Sequence, residues 1–106
     1  DTCHDIFVDV NDNLYCSMKN HHQLWRKSLV AGTNSYTIVA GAVLPGFYPN
    51  ELNDPIGIFV DINLDLYVAD CGNNRVQLFR LGKSNGTTVA GNNTPGLSNL
   101  YCPSAI

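Results

Sequence analysis

The sequence is short of positive charge. Only six of its 106 residues are Lys or Arg against nine Asp and Glu, for a net charge of -3. A nucleic-acid surface needs a basic stripe to neutralise phosphates, so no RNA or DNA partner is expected. No apolar run approaches the roughly 18 to 20 residues of a membrane span. Neither an initiator Met nor a leader stands before Asp1, which reads as a processed or trimmed N-terminus. There is no Gly-x-Ser-x-Gly elbow, no phosphate-binding glycine loop and no nucleophile beside an obvious base, and no cofactor is implied. The four cysteines form no Cys-x-x-Cys pair, which argues against zinc and for disulfides in an oxidising compartment.

What the sequence does hold is short runs of β-forming residues. The chain is 44% hydrophobic, enough for one domain with a real core. Between residues 55 and 91, three strand signals of period two at 57–61, 66–70 and 75–79, with a weaker fourth at 87–90, are separated by turn-forming stretches at 63–65, 72–74 and 82–86. This spacing predicts a four-stranded antiparallel meander.

The stretch occurs twice. Ile6-Phe7-Val8-Asp9-x-Asn11-x-x-Leu14-Tyr15 returns as Ile58-Phe59-Val60-Asp61-x-Asn63-x-x-Leu66-Tyr67 at a spacing of 52, and Val39-Ala40-Gly41 returns as Val89-Ala90-Gly91 at a spacing of 50. The first copy then predicts strands at 5–10, 14–18, 23–27 and 36–40. A period near 50 belongs to radial or stacked repeats, in which one unit cannot bury both faces of its sheet alone.

Pro-x-Gly-Ile-x-Val-Asp at 55–61, Leu-Tyr-Val-Ala-Asp at 66–70 and Asn-x-Arg-Val at 73–76 resemble the NHL repeat, whose members form β-propeller blades. The resemblance implies an all-β fold of two four-stranded antiparallel blades. The first blade is 1–41, an inter-blade connection follows at 42–54, the second blade is 55–91, and 92–106 is a connection with the start of a next repeat. The first copy departs from the pattern: His4-Asp5 stands in place of its Pro and Gly, Cys16-Ser17-Met18 replaces Val-Ala-Asp, and His22-Gln23-Leu24 replaces Asn-Arg-Val. A closed propeller needs roughly 4 to 8 blades, so the two blades are completed by further repeats or by other chains.

Several residues invite a functional reading. Asp61-Ile62-Asn63-Leu64-Asp65, echoed by Asp9 to Asn13, has the oxygen spacing that opens a calcium loop, but the required Gly and Glu are missing and hairpin turns explain it better. His4, His21 and His22 with Asp5 and Asp9 invite a metal, yet the adjacent histidines replace loop residues and a solvated loop is the stronger reading. Asp70 and Arg75 flank a tight loop and read as a structural pair that pins the hairpin. Trp25 reads as filler between blades. Phe47 and Tyr48, in the connection, are the best aromatic candidates for ligand contact, with anchoring of the loop as the plainer reading. Asp9 and Asp61 end the inner strands, where related enzymes such as amidating lyases and lactonases gather a metal from several blades.

The cysteines allow three pairings. The sequence-local ones, Cys3 with Cys16 and Cys71 with Cys102, are favoured, because the second ties one blade to the approach of the next. Asn85-Gly86-Thr87 and Asn92-Asn93-Thr94 are glycosylation sequons in expected loops, and they agree with the cysteines on secretion. Pro95-Gly96 answers Pro45-Gly46, and Pro103-Ser104-Ala105-Ile106 answers Pro55-Ile56-Gly57-Ile58. The chain thus leaves off in the phase in which it began, and copies are expected to continue one another head to tail as a ring or filament. The expected function is a secreted, non-enzymatic scaffold or binding module whose partners are copies of itself. The alternatives are one sector of a larger extracellular propeller that binds protein or carbohydrate, or part of a metal-dependent hydrolase or lyase.

Overall fold

The computed structural model describes residues 3–30, 35–91 and 100–104. Asn92, Pro95-Gly96 and Ile106, on which part of the sequence reading rests, lie outside them. Two antiparallel sheets follow one another along the chain. The first holds β1 (Ile6–Val8), β2 (Asn13–Met18), β3 (Gln23–Ser28) and β4 (Thr37–Gly41); the second holds β5 (Pro55–Val60), β6 (Leu66–Asp70), β7 (Arg75–Phe79) and β8 (Thr87–Gly91). Within each sheet the spatial order is the sequence order, as the two meanders require. The structure is all-β, two propeller-like blades that do not close into a ring.

The repeat extends to the turns. Asp9 and Asp61 each accept two backbone N–H bonds on Oδ1, from Asn11 and Asn13 and from Asn63 and Asp65. A side chain bonded to its own loop fixes the hairpin, and it holds the fourth residue of each turn, Asp12 or Leu64, at positive φ. That is why β1 ends at Val8 and does not run to the expected Val10. Each β2–β3 and β6–β7 connection is one 3-10 turn, Lys19–His21 or Cys71–Asn73, closed by a left-handed residue, His22 or Asn74. Opposite them, Gly41 and Gly91 take φ of 87° and 85°. A Cβ at either would run into the carbonyl oxygen of His22 or Asn74, so both positions need glycine.

The blades stack face to face. Tyr15, Leu24 and Ala40 of the first blade pack against Ile58, Val60, Leu66, Val68 and Phe79 of the second, with Leu52 of the connection buried among them. The strands nearest the common axis converge: the Phe7 and Phe59 rings meet edge to face at 5.4 Å, a favourable aromatic geometry. Burial of this apolar seam is the main force joining the two repeats.

Candidate functional site

The connection 42–54 is held by a set of buried polar groups. Asp70 ends β6 and Arg75 starts β7, and both side chains are fully buried, with Nε 2.8 Å from Oδ2. Asp70 also accepts the backbone N–H of Asn53 at 2.7 Å and the side-chain amide of Asn73 at 2.8 Å. The remaining guanidinium nitrogens of Arg75 donate to the carbonyls of Phe47, Glu51 and Tyr48 at 3.0, 2.8 and 3.4 Å. Burial pushes the Asp70 carboxyl above the usual carboxylate range, against the pull of Asn53, Asn73 and Arg75.

The sequence read this pair as pinning its own hairpin. The geometry extends its reach: the guanidinium is the template on which 47–51 is folded, because an arginine offers five donors in a fixed fork and saturates several carbonyls at once. In the first blade Met18 and Gln23 stand at these places, and Gln23 Oε1 accepts instead from Trp25 Nε1 at 2.9 Å. Phe47 and Tyr48 are consequently held by their backbones and exposed by their side chains. The Phe47 ring covers the guanidinium, 4.9 Å from its carbon, while Tyr48 projects outward.

Four of the first blade's departures from the repeat pattern, His4, Asp5, Ser17 and His22, meet at the seam between blades. Asp5 Oδ2 accepts the Ile58 N–H at 3.2 Å. Ser17 Oγ accepts the Asp5 N–H and donates to the Ile56 carbonyl, which also lies 3.3 Å from His4 Nδ1. His22 Nδ1 accepts the Asp54 N–H at 3.1 Å. Sequence reading treated His4, His21 and His22 as a possible metal set. The structure puts His4 and His22 at this seam and His21 beside Trp25, and among the described residues no three His, Cys, Asp or Glu side chains come within range of one ion.

At the far edge of the second blade the same contact is made again. Asn74 stands where His22 stands, and its Oδ1 accepts the Cys102 N–H at 2.9 Å. Asp54 and Cys102 both take positive φ, so 102–104 arrives at the second blade as 54–56 arrives at the first. The disulfides join Cys3 to Cys16 and Cys71 to Cys102, and the second clamps this returning segment onto the β6–β7 turn. Sequence reasoning set His22 in the place of Asn74 but missed the acceptor role that the two share. It was legible only once Asp54 and Cys102 were aligned at a spacing of 48, which the Pro55 and Pro103 match already marks.

The remaining candidates are placed as follows. Asp9 and Asp61 line one open groove at the ends of the two inner strands, but the Asp9 carboxylate is taken up locally: it is buried and receives Tyr15 Oη at 2.8 Å and the Asn13 side-chain amide at 3.0 Å. Burial opposes its charge, but the donors of Asn13, Tyr15 and Asn11 outweigh that and hold its pKa below the ordinary carboxylate value. Asp65 turns its carboxylate to Arg80 Nη1 and the Leu81 N–H, so the calcium-like oxygens are spent on the turns. Trp25 stacks between His21 and Tyr36 on the first blade; it does not fill the seam between blades. Asn85 and Thr87 are exposed at the mouth of β8.

Residues 52–79 match the family model of the NHL repeat. The match spans β5 to β7 with the Asp70–Arg75 pair inside it, a likeness to the repeat from which β-propeller blades are built. No curated protein matches the chain.

Proposed function

We propose that this chain is a secreted, non-enzymatic NHL-repeat scaffold that associates head to tail through the outer faces of its blades. The carrying observation is a difference between equivalent residues. Ile58 and Val60 are 7% and 4% exposed beneath the first blade, whereas their repeat partners Ile6 and Val8 are 56% and 46% exposed. The repeat has thus written an interface residue twice and covered it once. On the opposite side of the molecule, Phe59, Tyr67 and Val76 occupy the places of Phe7, Tyr15 and Leu24, which belong to the face with which the first blade meets the second. Laying that face of one copy on Ile6 and Val8 of another reproduces the internal seam between copies, a heterologous contact that propagates. The faces supply the apolar area of that contact.

The two disulfides are compatible with an extracellular location, and the exposed Asn85 sequon is accessible to a glycan. Mass measurement before and after enzymatic deglycosylation of secreted material, with Asn85→Gln and Asn92→Gln variants, tests this part; an unchanged mass contradicts it. A second reading, one sector of a larger propeller that binds protein or carbohydrate through Phe47 and Tyr48, is favoured by the exposure of the Tyr48 ring beside a rigidly held backbone. Val8→Asp separates the two: it abolishes association of the 106-residue chain in the first reading and alters nothing in solution in the second.

A further inference from the structure

Blades that converge at the axis splay apart toward the rim, and here they leave a cleft of about 230 Å³ between β4 and the loop after β7. Its floor is apolar, made by Leu64, Leu66 and Phe79, and its walls carry Arg26, Arg80 and Lys83. Those three are half of the six Lys and Arg in an otherwise acidic chain. Asp65 is matched by Arg80 at 2.8 Å and Asp61 also acts on Arg80, which leaves Arg26 and Lys83 in excess. Excess positive charge over an apolar floor recruits a ligand that carries acidic groups beside aliphatic ones.

The shape of the cleft narrows the class further. Thr37, Ile38 and Val39 all line it, although successive strand residues point to opposite faces of a sheet. It is therefore the edge of β4 that borders the cleft, and among the described residues no strand pairs with that edge. An open edge offers main-chain N–H and C=O groups to an extended peptide.

We infer that this cleft binds an extended acidic-aliphatic peptide segment of a partner protein, laid along the edge of β4 with its carboxylates toward Arg26 and Lys83. The site is distinct from the stacking faces at Ile6 and Phe59 and stands whether or not copies associate.

The test is a fluorescence-anisotropy titration of the 106-residue chain with a labelled peptide of alternating leucine and glutamate, beside the same peptide with lysine for glutamate and a labelled aliphatic carboxylate. The acidic peptide binds, Arg26→Gln and Lys83→Gln each weaken it by about tenfold, and hydrogen exchange slows at the β4 amides on binding. Lys19→Gln, outside the cleft, leaves the affinity unchanged. Equal binding of the lysine peptide, no binding of the acidic one, or equal binding of the aliphatic carboxylate without protection of β4 overturns the inference. Unaltered thermal unfolding of Arg26→Gln and Lys83→Gln shows that any loss is local.

Discussion

At the residue scale the structure turns on buried polar groups with several partners each. Arg75→Met leaves the Asp70 carboxylate buried without its cation and frees the Phe47, Tyr48 and Glu51 carbonyls. It is expected to cost about 3–5 kcal/mol in chemical denaturation, and Asp70→Asn in the same chain recovers part of that loss. Asp9 sets a pH dependence. Its native pKa lies below the unfolded one, so its contribution is fully present above about pH 4 and is lost as the pH falls through the native value. Asp65, held low by Leu81 and Arg80, acts in the same direction, while Asp70, raised by burial, acts against it. Asp9→Asn should flatten the acid limb of stability against pH. At the alkaline end, burial and the bond to Asp9 push the Tyr15 hydroxyl up to about 12. The folded chain therefore keeps a proton that the unfolded chain releases near pH 10, and stability declines across that window. An absorbance titration should show a tyrosine ionising at about 12 that Tyr15→Phe removes. The sequence showed Asp70 with Arg75 as a pair because both flank one short loop. It could not show their hold on 47–51, since carbonyl acceptors belong to the backbone and leave no mark in residue type.

At the element scale, period-two alternation and Asn, Asp and Gly turns were enough to locate all eight strands to within two residues at every end. The early end of β1 at Val8 comes from the Asp9 side chain capturing the next backbone groups before the strand can continue. The returning segment 100–104 is held from three sides: the Cys71–Cys102 bridge, the Asn74 bond and Gly57. A Cβ at Gly57 would stand 2.8 Å from the Ser104 carbonyl oxygen and 3.1 Å from the Ala69 Cβ. Gly57→Ala is therefore expected to cost about 1–3 kcal/mol in thermal or chemical denaturation. Replacing Cys71 and Cys102 by Ser costs about 2–4 kcal/mol and lets 100–104 give way, so the Gly57→Ala penalty shrinks in that background. Equal penalties in both backgrounds would mean that Ala69, and not the returning segment, sets the limit. The first blade carries Asp5 at the Gly57 position and Ser17 at the Ala69 position, and it uses both as polar fasteners to the second blade. The reason for those departures from the repeat pattern is not visible along the sequence because their partners lie 39 and 53 residues away.

At the scale of the whole molecule, two blades bury one shared seam and leave two outer faces that the repeat composes for burial. The twofold repeat and the meander order were readable from the spacing of Ile6 to Tyr15 against Ile58 to Tyr67. The rim cleft was not, because Arg26, Arg80 and Lys83 belong to different strands and loops and gather only when the blades splay. The central claim is that the face around Ile6 and Val8 is an interface awaiting another blade. Sedimentation velocity of the 106-residue chain across a wide concentration range tests it most directly, beside the Val8→Asp variant. The account predicts species well above the 11.6 kDa monomer that grow with concentration and vanish in Val8→Asp, whose fold is kept because Val8 is solvent-facing within one chain. A wild-type chain that sediments as a monomer throughout, or an assembly that Val8→Asp leaves intact, would contradict it.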